Sequence, residues 1–160
     1  MQESFTSQQW LVNTRARGDV EAMLSLVPYA RRIGVSAEVD ERGLVFRLAP
    51  RQGNVGNVML PALHGGVVAA FMETAATLDL MLAARVARLP KIIDFSIDYL
   101  RTAHLAPTLA RCLLLREGRR MANVQVSAWQ EDETSPIATA RLHLLLSDPP
   151  DMAIESIAHA

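Results

Sequence analysis

From Gly65 to about Arg88 the chain reads as one long helix, hydrophobic nearly all round, opening on His64–Gly65–Gly66 and stopped by Pro90. A surface helix keeps a wide polar face; one without it must be wrapped on most sides by other structure. Glu73 and Asp79 lie inside this run. Each would cost roughly 2.5–3.5 kcal/mol at a bilayer centre, so the run belongs in a protein core and not in lipid. With 160 residues, 50% of them hydrophobic, the chain is long enough for one compact domain with a real core.

What wraps the helix is legible in the flanking patterns. Val35–Ala37–Val39 and Leu44–Phe46–Leu48 alternate apolar with polar positions around Asp40–Gly43, as in a β-hairpin. Beyond the helix, Ile93–Tyr99, Leu109–Leu115, Ala122–Trp129 and Ile137–Leu146 are strand-like, with turns at Ala106–Pro107, Glu117–Gly118 and Glu131–Pro136. Short connections predict antiparallel pairing, and an α+β sheet rolled around one helix follows. Ser7 to about Tyr29 reads as helical, divided near Gly18–Asp19 and ending about Pro28, and Arg51–Pro61 reads as loop. The expected organisation is a single domain: a helical extension over 1–33, a core over 34–147 and a loose tail over 148–160. A doubly wound nucleotide fold would need more helices between the strands, and the glycine spacing before the helix does not match GxGxxG.

Charge and cysteine content narrow the function classes. A net charge of -1 supplies no overall field for nucleic acid or an anionic membrane, so neither is an expected partner and an anionic ligand must be met by a local arginine cluster. Cys112 is the sole cysteine, which excludes an intramolecular disulfide and fits a packing role in a reducing compartment. Residues Met1–Val20 lack the basic start and apolar centre of a secretory signal, so a cytoplasmic location is expected. His64, His104, His143 and His159 show no HExxH or close ligand spacing, and no GxSxG elbow is present, so neither a metal site nor a serine nucleophile is expected.

Glu73 is the residue that asks for a reason. A carboxylate taken out of water without partners costs several kcal/mol, which sequences accept where chemistry or a tight ion pair compensates. The element order, the His64–Gly65–Gly66 turn, an acid nine positions after His64, the strand Ser96–Ile97–Asp98–Tyr99–Leu100–Arg101 and the turn Glu117–Gly118–Arg119–Arg120 together resemble the PaaI-type hotdog thioesterases. The resemblance spans roughly Val35–Leu146. It implies a hotdog fold, an antiparallel curved sheet around one central helix with an additional N-terminal helix here. It also implies an acyl-CoA thioesterase that works as a homodimer, often paired into a tetramer, with coenzyme A as part of the substrate and no other cofactor.

The residue types suit that chemistry. Unpaired N–H groups at the helix start, around Gly65 and Gly66, can donate to a thioester carbonyl oxygen as it gains charge, and glycine permits close approach. Glu73 can take a proton from water or attack the carbonyl carbon to give a mixed anhydride. Gly65 and Glu73 are eight residues apart, a rise of about 12 Å, too far to serve one carbonyl. In similar thioesterases the acid of one subunit faces the helix start of its partner, which resolves the geometry. Thr77, four residues after Glu73, shares its face and can orient the carboxylate or water; the other reading is a hydroxyl returned to the preceding turn. His64 either contacts substrate or braces the turn.

Many relatives carry Asn or Gln six positions before the HGG histidine. Here that position is Val58, and Asn57 stands one residue out of step, either a carbonyl helper or an ordinary turn asparagine. Arg101, Arg116, Arg119 and Arg120 lie where relatives bind coenzyme A, and guanidinium groups suit its phosphates. Met59, Phe71, Met72 and Met81 are candidates for an acyl pocket, or for plain core packing. Two other functions stay open at this point: a non-catalytic acyl-CoA-binding hotdog module and a hotdog enoyl-CoA hydratase or dehydratase.

Overall fold

The computed structural model describes residues 5–6, 13, 18–25, 27–83, 89–147 and 153–154. In chain order these form β1 (Phe5–Thr6), α1 (Val20–Ser25), α2 (Pro28–Ile33), β2 (Val35–Asp40), β3 (Gly43–Leu48), β4 (Val55–Asn57), β5 (Ala62–Leu63) and α3 (Gly65–Ala83). There follow β6 (Leu89–Tyr99), β7 (Thr108–Glu117), β8 (Met121–Trp129), β9 (Ala138–Ser147) and β10 (Ala153–Ile154). Six strands make one antiparallel sheet in the order β2-β3-β7-β8-β9-β6, and α3 packs against β3, β6, β7, β8 and β9. This is the expected α+β arrangement of a sheet around one helix.

The wrapping has a simple cause. Val67, Val68, Phe71, Met72, Ala75, Ala76, Leu78, Leu80 and Met81 are buried on α3, and each large side chain so placed contributes about 1.5–3 kcal/mol. Across the sheet, Phe46, Ala110, Ala128, Ala138 and Tyr99 stand in one register row. Its three alanines leave room for the helix, and its last member brings Tyr99 to the helix start. On β6, Phe95 and Ile97 turn inward while Asp94, Ser96 and Asp98 are exposed, the alternation read from the sequence.

Several local expectations change. Pro28 does not end a helix; it opens α2 at the first helical turn, where its missing N–H costs nothing. The end is instead Gly34, at φ 86°, with Arg51 Nη1 donating to the carbonyls of Arg31 and Arg32 at 2.9 and 2.7 Å. Pro90 lies within β6, tolerated because β6 is an edge strand of the sheet. The Arg51–Pro61 loop contains a 3-10 turn and pairs β4 with β5. Strand β6 pairs with β9 and not with its neighbour in sequence, β7. In the tail, Ala153–Ile154 pairs with Phe5–Thr6, so that stretch is strand and not loose. Most of the helical reading over Ser7–Arg17, and the helix extension over 84–88, fall outside the described residues.

Candidate active site

The start of α3 is held from several sides. The His64 N–H donates to the carbonyl of Asn54 at 2.8 Å, and the His64 carbonyl accepts from Val67 and Val68 at 2.9 and 3.1 Å. His64 Nδ1 accepts from the Gly66 N–H at 2.9 Å, which places the proton of the neutral ring on Nε2. The Tyr99 hydroxyl donates to the Gly65 carbonyl at 2.7 Å. Glycine is required beneath this turn, because a Cβ on Gly56 would stand 2.6 Å from His64 Cα. Asn54 is 4% exposed, and its Nδ2 donates to the Ile33 carbonyl at 2.7 Å, tying the end of α2 to the turn. The Gly65 N–H has no acceptor among the described residues.

One stripe of α3 is partly exposed. Gly66 is exposed, and Ala69, Ala70, Glu73 and Thr77 are partly exposed, at the three- and four-residue steps that share a helix face. Glu73 sits midway along it, and burial raises its carboxyl above the ordinary glutamate value. Asp79, six residues on, belongs to another face; burial pushes it up to about 6. Burial, with the Asp79 charge adding, also pushes the Cys112 thiol well up. Thr74 Oγ1 donates to the Ala70 carbonyl at 2.7 Å, the ordinary fate of a threonine within a helix.

One cavity reaches the helix start, and a second, larger one continues from it. The smaller, about 180 Å³, includes Gly65, Val68, Tyr99, Arg101 and Ile137 in its lining. The larger, about 800 Å³, shares Arg101, Thr102 and Ile137 with it and continues to His104, Gln130 and Asp132. Gln130 Nε2 donates to the His104 carbonyl at 2.8 Å and to Thr108 Oγ1 at 3.0 Å, which joins the loops forming the larger cavity.

Residues 60–137 match the family model of the thioesterase superfamily. The chain is 31% identical over 124 residues to the medium/long-chain acyl-CoA thioesterase YigI of Salmonella typhimurium, covering 67% of this chain and 78% of that protein. The chain belongs to the thioesterase superfamily. It is a thioester hydrolase with the hotdog fold. A crystal structure from Chromobacterium violaceum is 38% identical, with a TM-score of 0.71 over 87% of this chain and 97% of that one. The fold is also that of the Escherichia coli PaaI protein, at 16% identity and a TM-score of 0.69 over 82% of this chain and 93% of that one.

For a thioesterase, the arrangement sorts the sequence candidates. Gly65 and His64 meet at the helix start, but the Gly66 N–H is occupied by His64, which leaves Gly65 as the available donor. The bracing role read for His64 is the one its Nδ1 performs. Asn57 Oδ1 accepts from the backbone of Met59 and Leu60 at 3.0 and 3.3 Å, so it builds the turn between β4 and β5. Thr77 shares the partly exposed stripe with Glu73. Arg101 lines both cavities, with Nη1 donating to the Pro136 carbonyl at 2.6 Å.

Arg116, Arg119 and Arg120 lie at the far end of β7 and β8, about 20–30 Å of strand away from Arg101, so one chain does not bring all four together. Phe71, Met72 and Met81 are core residues, whereas Met59 is 86% exposed. The sequence reading missed Asn54, Tyr99 and Gln130 as site builders. Asn54 and Gln130 have no periodic signal, and Tyr99 was visible only as part of the Ser96–Arg101 strand.

Proposed function

We propose that the chain hydrolyses acyl-CoA thioesters, with Glu73 of one subunit and the Gly65 N–H of a partner serving the same carbonyl. As a base, the Glu73 carboxylate takes a proton from water while the water oxygen adds to the carbonyl carbon. The carbon–sulfur bond then breaks, and the coenzyme A thiolate leaves and is protonated. As a nucleophile, a Glu73 oxygen bonds to that carbon, expels the thiolate and is released when water cleaves the anhydride. The observation that carries the reading is the partly exposed Glu73, whose carboxyl burial raises, on a partly exposed stripe of α3 that begins at Gly66.

A homodimer joined along β6 and paired further into a tetramer suits the same facts. Antiparallel pairing of two β6 edges runs the two α3 helices in opposite directions, setting each Glu73 toward the other's Gly65. It also carries the partner's β7–β8 turn, with its Arg116, Arg119 and Arg120, toward this chain's Gly65 and Arg101, where those arginines can serve coenzyme A phosphates together. Gly66 then shapes the backbone approach, Thr77 orients water or the carboxylate, and Asn57 keeps the turn that leads to His64. The name of the Salmonella relative points to medium or long acyl chains, and the exposed Val58, Met59 and Leu60 offer apolar surface for them. Nothing in this scheme needs a metal, and the soluble thioester intermediate it consumes suits a cytoplasmic enzyme.

The test is thiol release from acyl-CoAs of graded chain length by the wild type and by Glu73→Ala. Turnover that the substitution abolishes, with the oligomer retained, supports the assignment. Acyl-CoA binding without any thiol release would favour a non-catalytic module, and water addition to an enoyl-CoA would favour a hydratase.

A further inference from the structure

The Tyr99 hydroxyl bonds the Gly65 carbonyl at 2.7 Å, and His64 Nδ1 accepts from the Gly66 N–H at 2.9 Å. Those two backbone groups belong to one peptide unit. Because a peptide is planar, two side chains gripping its opposite edges fix its rotation. The grip is close on both sides: a Cβ on Gly65 would stand 3.3 Å from the Tyr99 ring, and one on Gly66 would stand 3.0 Å from His64 Nδ1. The next peptide toward the N-terminus is held through the His64 carbonyl by Val67 and Val68. The donor left open in this turn, among the described residues, is the Gly65 N–H, and Gly65 lines the cavity that Tyr99 and Arg101 also line.

We propose that Tyr99 and His64 are positioning residues that clamp the Gly65–Gly66 peptide and, together with the bonds from Val67 and Val68 that hold the His64–Gly65 peptide, fix both peptides at Gly65 and so aim the Gly65 N–H at the substrate carbonyl. This rests on the thioesterase reading of the site. An oxyanion donor acts through alignment with charge that develops in the transition state, and loss of one such donor costs on the order of 10²–10³ in rate. A clamp that aligns it should therefore govern kcat more than KM. His64 needs only an acceptor at the Nδ1 position, which the side-chain oxygen of asparagine can supply.

The experiment compares Tyr99→Phe, His64→Ala and His64→Asn by acyl-CoA thiol release and by amide hydrogen exchange at Gly65 and Gly66, followed by NMR. Tyr99→Phe and His64→Ala should each lower kcat by about 10–100-fold with KM within about twofold, and Gly66 exchange should quicken in both. His64→Asn should recover most of the kcat lost in His64→Ala. Unchanged Gly66 exchange in Tyr99→Phe overturns the proposal, as does quickened exchange with wild-type kcat, or an asparagine variant no better than alanine. A wild type that releases no thiol, but shows the same exchange pattern in the variants, keeps the clamp and removes the thioesterase reading beneath it.

Discussion

Asp79→Asn should make the protein more stable at neutral pH and leave it nearly unchanged in acid. Asp79 projects from α3 near Cys112 of β7, burial raises its carboxyl from 3.8 to about 6, and no ion-pair partner stands beside it among the described residues. The folded state therefore holds the proton more tightly than the unfolded chain. Below about pH 3.8 both states are protonated and there is no penalty. As pH rises toward 6 the unfolded chain ionises first, and stability falls across that window. The rise from 3.8 to about 6 amounts to about 3 kcal/mol against the folded state above it, an upper figure because local relaxation and water lower it.

Asparagine has the same shape and never ionises, so the variant escapes that penalty. Urea unfolding of both proteins at one protomer concentration, from about pH 3 to about pH 8, should show a stability difference near zero at the acid end. It should grow to about 1–3 kcal/mol in favour of the variant at the neutral end. A difference independent of pH, or a variant less stable at pH 8, would refute the reasoning. The Cys112 thiol should stay raised in the variant, since burial is the larger cause.

Other perturbations probe the site and its supports. Asn54→Ala should cost about 1–3 kcal/mol in urea unfolding, because it strips a donor from the buried Ile33 carbonyl. Gly56→Ala should lower kcat as well as stability, since the new Cβ would meet the His64 backbone, and crystal or NMR data should show the turn displaced. The acid limb of kcat/KM should lie above the ordinary glutamate value of 4.5, because Glu73 must be ionised and burial raises its carboxyl; a limb at or below that value counts against Glu73 as the base. Arg101→Ala should raise KM for acyl-CoA several-fold with a smaller effect on a thioester lacking the nucleotide, and the discrimination should weaken with added salt.

The pattern of residues was enough to place seven principal elements. Alternation in Val35–Val39, Leu44–Leu48, Ile93–Tyr99 and the three later runs is a local property of a strand with one buried face, and each run is a strand of the main sheet. The all-round apolar character of α3 likewise required a sheet about it. Proline misled at Pro28, whose missing N–H costs nothing at the first turn of α2, whereas Leu89 before Pro90 is extended, as the sequence implies. Glu73 stood out as an acid in an apolar helix, but its partial exposure is decided by what packs around that helix.

By itself the sequence determined the fold class, the membership of Gly65 and Glu73 in one rigid helix, and their separation, since helix rise and side-chain periodicity are properties of the local backbone. Only the tertiary structure decided that β6 lies beside β9, that Arg101 and Arg119 stand at opposite ends of the sheet, and that Tyr99 and His64 grip a single peptide. Those facts join groups far apart along the chain, from Gly65 with Tyr99 to Leu89 with Ser147, and such pairings follow from packing the whole core at once.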